Sequence, residues 1–335
     1  MALSLARMRL RTIIVLIALV SAVPLGLFAG WLLFHSWQEQ RGLVDRQNVD
    51  TARAISLVVD KEVESTAAAL NVLASIDALD GPDLVAFSPV AMRLVARQPH
   101  WRSILLTDPN GRVLFDSADD PGPEVRVLSP DWVRRVAATQ RLAVSDLFEE
   151  GSTGRFFVMI GVPVIRANAV RGILAAQIGS EALSDILRRQ NPPVGGVVTL
   201  LDGTRRIMAR TRNEDEYVGK PPTPRFQAAA ARMVEGSWRE VLLEGTPAYA
   251  ALSRSRLTGW VLGLGLPSEQ VDQPIRESFW ALAGAGFLIL SLAVAGALLL
   301  GRVVAHGLAD ASDAAKNLAK GESVDVHPSR LHEID

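Results

Sequence analysis

The chain has 335 residues, a net charge of −1, a charged fraction of 21% and no cysteine. The balanced charge gives no bias toward nucleic acid. The missing cysteines exclude a disulfide framework, cysteine-ligated zinc and thiol catalysis, and they are compatible with an oxidising compartment.

In chain order, Arg7, Arg9 and Arg11 precede an uncharged apolar run, Ile13–Phe34, of 22 residues. As a helix this run crosses a bilayer core of about 30 Å. It exceeds the roughly 7–15 residues of a signal-peptide core, which favours a retained membrane anchor over a cleaved leader. Pro24 and Gly26 are tolerable in a membrane helix. From Trp37 to about Ile76, apolar residues fall at Val44, Ile55, Val58, Val59, Val63, Ala67, Leu70 and Leu73, mostly three or four apart. That spacing predicts a long amphipathic helix continuing from the first span. One face can meet its own domain and another a second subunit.

A strand-rich segment follows. Ser103–Thr107, the turn Asp108-Pro109-Asn110-Gly111 and Arg112–Phe115 read as a β-hairpin. Val197–Leu201, Asp202-Gly203 and Ile207–Ala209 read as the same unit again. The echo continues in Glu150-Gly151 before Phe156–Ile165, matched by Glu244-Gly245 before Ala248–Leu252. Gly172 opens Ile173–Ile178 as Gly259 opens Trp260–Leu264. Pairing Gly111 with Gly203, Gly151 with Gly245 and Gly172 with Gly259 implies an internal repeat of about 90 residues. Helical patterns cover Pro130–Ala138 and Phe226–Val234. Each copy thus reads as a strand pair, a helix and three strands, an antiparallel sheet with helices on one side. Ser180–Gln190 reads as a helix joining the copies, ended by Asn191-Pro192-Pro193. Trp238 and Trp260 in the second copy are expected core.

A second apolar run, Ser278–Gly301, has 24 residues and again suits a membrane helix. Arg302, Lys316 and Lys320 follow it. With the three arginines before the first run, they place both termini in the cytoplasm and residues 35–277 outside. Beyond Arg302, Val304, Leu308, Ala311, Ala315 and Leu318 are spaced 4, 3, 4, 3, a coiled-coil heptad. A helix end is expected at Gly321-Glu322, and His332-Glu333-Ile334 lies beyond it. The five histidines (His35, His100, His306, His327 and His332) show no metal-ligand spacing, and no glycine-rich phosphate loop follows a strand. No catalytic residue, metal or cofactor is expected.

The run Trp101–Gly111, then Val144-Ser145-Asp146, then Val162-Pro163-Val164 followed by Gly172-Ile173-Leu174, resembles the double-Cache extracellular sensor family over about residues 36–272. The resemblance implies an α+β fold, two PAS-like antiparallel sheets on a long N-terminal helix between two transmembrane helices. The implied divisions are a cytoplasmic start (1–12), transmembrane helix 1 (13–34), a stalk helix (35–79), a membrane-distal PAS-like subdomain (80–190), a membrane-proximal one (191–277), transmembrane helix 2 (278–301) and residues 302–335. The last segment resembles the opening of a HAMP module, with glycine at Ala305-His306-Gly307-Leu308 where that family usually has a breaking proline. Its expected relay residues are Val304, Leu308, Ala311, Ala315, Leu318 and Glu333.

The implied function is the sensory input half of a bacterial inner-membrane receptor, acting as a homodimer in the lipid bilayer. The implied output is a histidine kinase with a response-regulator partner, carried on sequence beyond Asp335. The alternatives are a chemoreceptor, a cyclic-di-GMP enzyme or a truncated sensor with no output. The implied small-molecule site lies in the distal copy, at Trp132, Arg135, Asp146, Phe148, Arg155 and Phe157. Cations, an acid and aromatics together suit a small polar or amphoteric solute. The amino-acid-sensing subclass carries a tyrosine-rich signature there, whereas the tyrosines here are Tyr217 and Tyr249, both in the second copy.

Overall fold

The computed structural model describes residues 10–80, 84–118, 130–150 and 154–319. Two compact units emerge, Gly42–Val271 and the two chain ends, 1–41 with 272–335.

Helix α1 (Leu10–Ala74) is one helix, as the sequence pattern predicts. Within the 42–271 unit it buries Ala52, Ile55, Val59, Val63, Ala67, Leu70 and Leu73, a stripe of three- and four-residue steps. Val58 does not belong to that stripe. It stands exposed beside Leu57, which is 61% exposed. A short helix, α2 (Ser88–Val95), leads into the first sheet.

The first sheet contains β1 (Trp101–Thr107), β2 (Val113–Asp116), β3 (Ala143–Val144), β4 (Phe148–Glu150), β5 (Arg155–Arg166) and β6 (Ala169–Gly179), with α3 (Pro130–Thr139) after β2. Its order is β2-β1-β6-β5-β3, and β4 also pairs with β5. Helix α4 (Ser180–Arg189) leads to the second sheet, made of β7 (Val197–Leu201), β8 (Ile207–Arg210), β9 (Glu235–Val241), β10 (Pro247–Arg254) and β11 (Val261–Pro267). Between β8 and β9 lie α5 (Glu214–Tyr217) and α6 (Pro224–Arg232). The order is β8-β7-β11-β10-β9, the same path as in the first sheet. All pairs are antiparallel.

The repeat is real, with a different register from the glycine pairing. Asp108 Oδ1 accepts from the amides of Asn110 and Arg112, and Asp202 Oδ1 accepts from the amide of Arg206 and the hydroxyl of Thr204. The carboxylates thus hold equivalent turns, an Asx-turn role. Both hairpins carry a register shift at the same place, Leu106/Thr107 and Leu200/Leu201. The hydroxyls of Ser117 and Thr211 accept from the amides of Ile104 and Val198. All of these match under a shift from Asp108 to Asp202. The structural partner of Gly111 is therefore Arg205, not Gly203, and both sit at positive φ, +90° and +67°. A turn that needs a left-handed residue need not take glycine, so the glycine pairing slipped. Gly172 lies inside β6, whereas Gly259 lies in the turn before β11, a further one-residue slip.

Three other expectations are corrected. The third strand of the first copy is broken into β3 and β4. The α6 helix begins earlier than Phe226, because Thr223 caps it, accepting from the Phe226 amide at 3.2 Å, with Pro224 in its first turn. Helices cover both faces of the sheets rather than one. Ile104, Leu106, Val158, Ile160, Leu174 and Ala176 share a core with α1, with Leu183 and Leu187 of α4, and with Val198, Leu200, Leu262 and Leu264 of the second sheet. The alternate residues Leu105, Met159, Ile173 and Ala175 pack under Trp132, Val133 and Val136 of α3. Central strands that are apolar on both faces require cover on both. Trp260, 1% exposed, is core, and Trp238 packs against Phe226 at 5.3 Å between ring centres.

Helix α7 (Ser268–Ala319) starts directly after β11, within the 42–271 unit, and its part in the other unit contains Val304, Leu308, Ala311, Ala315 and Leu318. It continues through Gly307 without a break. Gly321-Glu322 and Glu333 lie outside the described residues.

Candidate ligand-binding site

On the α3 face of the first sheet, β5 presents Phe157, Met159 and Gly161 in alternation. Trp132 packs against this row at Met159 and Gly161. A Cβ built on Gly161 would stand 2.3 Å from its Cζ3, so only glycine admits the indole at this approach. Trp132 is 3% exposed and belongs to the core.

Phe157 is buried, and its ring meets that of half-buried Phe148 at 5.9 Å between centres. Arg102 lies over the Phe157 ring at 4.9 Å and approaches Glu150 at 3.7 Å. Sequence reasoning missed Arg102 as a site residue. A register shift between Trp101 and Ser103 carries it onto this face, and Trp101 instead donates to Thr66 of α1. Arg135 and Arg155 are exposed, and Asp146 is exposed as a residue although its carboxylate is partly buried against the β7–β8 turn. The structure therefore brings Phe148 and Phe157 together, adds Arg102, and places Arg135 close enough to act electrostatically on Asp146.

Asp146 also has a structural task. Its carboxylate accepts from the backbone of Gly203 and Thr204, while the Leu147 amide donates to Asp202 Oδ2 at 3.0 Å. This loop joins the first module to the β7–β8 turn of the second. Burial, and then the neighbouring Asp202 charge, raise the Asp146 pKa above its ordinary value of 3.8. A raised folded-state value means that stability falls as pH rises through the window above 3.8. Asp146→Asn is thus expected to hold or raise the thermal midpoint at neutral pH, with the difference from wild type closing as pH drops toward 3.8. A midpoint lowered by this substitution at neutral pH would instead show that the ionised form stabilises the joint.

The second sheet holds a cavity of about 40 Å³ between the sheet and α6. Val197, Thr199, Arg210, Phe226, Glu240 and Ala250 are among the residues that line it. Phe226 covers Gly263 of β11 here, one strand over from the position Trp132 covers in the first sheet.

No family model matches the chain, and no curated protein matches it by sequence. Solved structures do match. The ligand-binding domain of the Campylobacter jejuni chemoreceptor Tlp3 in complex with L-valine aligns with a TM-score of 0.52 at 14% identity, covering 70% of this chain and 97% of that one. A methyl-accepting chemotaxis protein X aligns with a TM-score of 0.54 at 16% identity, covering 68% and 98%. The fold is that of the double-Cache domains. In this fold the two modules are the β1–β6 and β7–β11 sheets, and α1 shares a core with both.

Among the described residues one helical stretch, Ser268–Gly296, is long and apolar enough to cross a membrane, with mean hydropathy 2.0. It begins earlier than the expected Ser278 and overlaps most of that span. Trp280, Phe287, Ile289 and Leu292 along it are each more than 60% exposed, an apolar surface that water covers poorly. The first apolar run, Ile13–Phe34, is helical within α1.

Proposed function

We propose that this chain is the sensory input part of a transmembrane receptor, with residues 42–271 outside the cytoplasm binding a small solute. The observation that carries the reading is one unit with the double-Cache fold whose first helix continues from one apolar run and whose last strand leads directly into the helix that carries another. A solute that prefers one packing of the unit shifts a two-state equilibrium. The change passes along α7 as a helix displacement of about 1–2 Å and repacks the heptad of Val304, Leu308, Ala311, Ala315 and Leu318. The proposed output is a histidine kinase. A chemoreceptor is the second reading, favoured by the chemoreceptor domains that share the fold.

The proposed distal site comprises Arg135, Asp146, Phe148, Arg155 and Phe157 with Arg102 added, over Trp132 as its floor. The Tlp3 domain was solved with L-valine, so a panel of amino acids, amines and small carboxylates is the starting set. A member of it should raise the thermal midpoint of the full chain in lipid nanodiscs, and Arg102→Ala should weaken that rise. A midpoint unmoved by the whole panel would count against a solute sensor.

The proposed homodimer uses the outward face of α1. Leu57→Cys in this cysteine-free chain should give a disulfide-linked dimer on mild oxidation. A chain that stays monomeric on a denaturing gel would argue against that face.

A further inference from the structure

The two aromatic residues that meet in the first module each have a chain neighbour seated on the second. Successive residues of a strand point to opposite faces of its sheet. On β5, Phe157 meets the ring of Phe148 on the α3 face, whereas Phe156 packs against the core shared with α1. A Cβ built on Gly219 of the second module would stand 2.4 Å from Phe156 Cζ, so the ring sits directly on the backbone there. Gly219 also has φ +84°, a conformation that favours glycine. On the neighbouring strand, Phe148 of β4 stands directly opposite Phe157. Leu147 before it is buried in the shared core, and its amide donates to Asp202 Oδ2 at 3.0 Å.

Both seats belong to one piece of the second module. The Gly219 amide donates to the Ile207 carbonyl at 2.8 Å, and the Ile207 amide donates to the Lys220 carbonyl at 2.9 Å. Arg206 Nε donates to the Gly219 carbonyl at 3.2 Å. The notch that takes Phe156 is thereby fastened to the start of β8, beside the turn that Asp202 organises. Asp202 is 1% exposed and divides its carboxylate, Oδ1 holding the turn and Oδ2 the first module. Among the described residues, the equivalent Asp108 carboxylate accepts only from its own turn. The contact is therefore a property of the β7–β8 hairpin and not of the repeated fold. β7 in turn pairs with β11 from Val261 to Gly265, and β11 leads into α7.

We propose that Phe156 and Leu147 are positioning residues that couple the Phe148–Phe157 pair to the β7–β8 hairpin. A shift of either ring turns its strand, and the neighbour on the opposite face turns with it. Gly219 leaves no slack at the Phe156 ring, so the hairpin follows or its hydrogen bonds open. Through β7 and β11 the same change reaches the start of α7. The use of this route by a solute in the first module rests on the sensory reading above, but the coupling itself does not.

The test needs no solute. Amide hydrogen exchange of the full chain in nanodiscs is read over 202–220, the hairpin and its notch, and over 235–254, which spans β9 and β10 of the same module. Phe148→Ala should speed exchange over 202–220 by about 2–30-fold and leave 235–254 unchanged. Arg102→Ala, which removes the cation over the Phe157 ring, should do the same by a smaller factor. Phe156→Ala should speed exchange over 202–220 by itself, and adding Phe148→Ala to it should then change little. Phe156→Met, which refills the notch, should restore the response to Phe148→Ala. A Phe156 that only fills space would give additive effects. No change over 202–220 in these variants, an equal rise over 235–254, or additivity in the double variant would overturn the coupling. A coupled hairpin in a unit that proves cytoplasmic would keep the joint and remove the sensory reading. An uncoupled hairpin in an extracytoplasmic unit would do the reverse.

Discussion

Leu70→Ala is expected to destabilise the 42–271 unit by about 2–5 kcal/mol. Leu70 is fully buried on α1, in the one core that also takes Ile104, Leu174, Leu200 and Leu262 from the two sheets. Among the described residues, α4 and, through Phe87 and Ala91, the start of α2 share that core with α1. The loss should therefore appear in both modules together. Urea unfolding followed by tryptophan fluorescence reads it directly, since Trp101 and Trp132 report on the first module and Trp238 and Trp260 on the second. The expected result is one transition moved to lower urea. Leu57→Ala, on the exposed side of the same helix, should stay within about 0.5 kcal/mol of wild type. Two transitions, only one of them moved by Leu70→Ala, would show that α1 serves one module alone.

Gly161→Ala is the second large effect. The new Cβ would stand 2.3 Å from Trp132 Cζ3 and 3.2 Å from Ile173. Ile173 is fully buried and Trp132 nearly so, so neither ring nor methyl has free space to move into. Overpacking of this kind costs about 1–3 kcal/mol. Trp132→Ala costs more, about 3–5 kcal/mol, because it leaves a ring-sized void over β5. The two should be coupled, since a Cβ at position 161 meets only the Ile173 methyl, at 3.2 Å, once the indole is gone. The double variant should then be more stable than the sum of the single losses predicts, by about 0.5–3 kcal/mol. Strict additivity would show that Trp132 does not press on Gly161.

The aromatic rings of the two modules cover different strands. Trp132 reaches across to β5, where its indole occupies the layer between sheet and helix. Phe226 is smaller and covers β11 instead, leaving the space that Arg210 borders. Two modules of one topology thus differ in which strand the helix-borne aromatic residue covers, Gly161 of β5 in one and Gly263 of β11 in the other.

Much of the fold was legible in the sequence because its signals are local. Asn110-Gly111 marks a hairpin, the α1 stripe has helical spacing, and the joining helix Ser180–Arg189 ends at a run of Asn and Pro. The repeat was legible too, but glycines were poor markers of its register. The conserving feature of the turn is the aspartate at its start, and the left-handed position tolerates Arg205. Helices on both faces were missed because strands such as Arg155–Arg166 are apolar on both sides, which a run of apolar residues does not distinguish from one-sided cover. The sites were less legible. Arg102 reaches Phe157 only through an irregularity in β1. Nothing in Ala209-Arg210-Thr211 announces a buried arginine, because it is covered by Tyr217 of α5 and by Glu244 of the β9–β10 turn, which the fold and not the local pattern brings to it. Asp146 looked like a ligand group, and it also ties the two modules together through Gly203 and Thr204.

The most direct measurement is the side of the membrane on which the 42–271 unit lies. The chain has no cysteine, so a single Arg189→Cys, at an exposed position at the end of α4, gives an unambiguous reporter. A membrane-impermeant maleimide should label it in intact cells as fully as after permeabilisation. Labelling that appears only after permeabilisation would put the double-Cache unit in the cytoplasm and contradict an extracytoplasmic sensor.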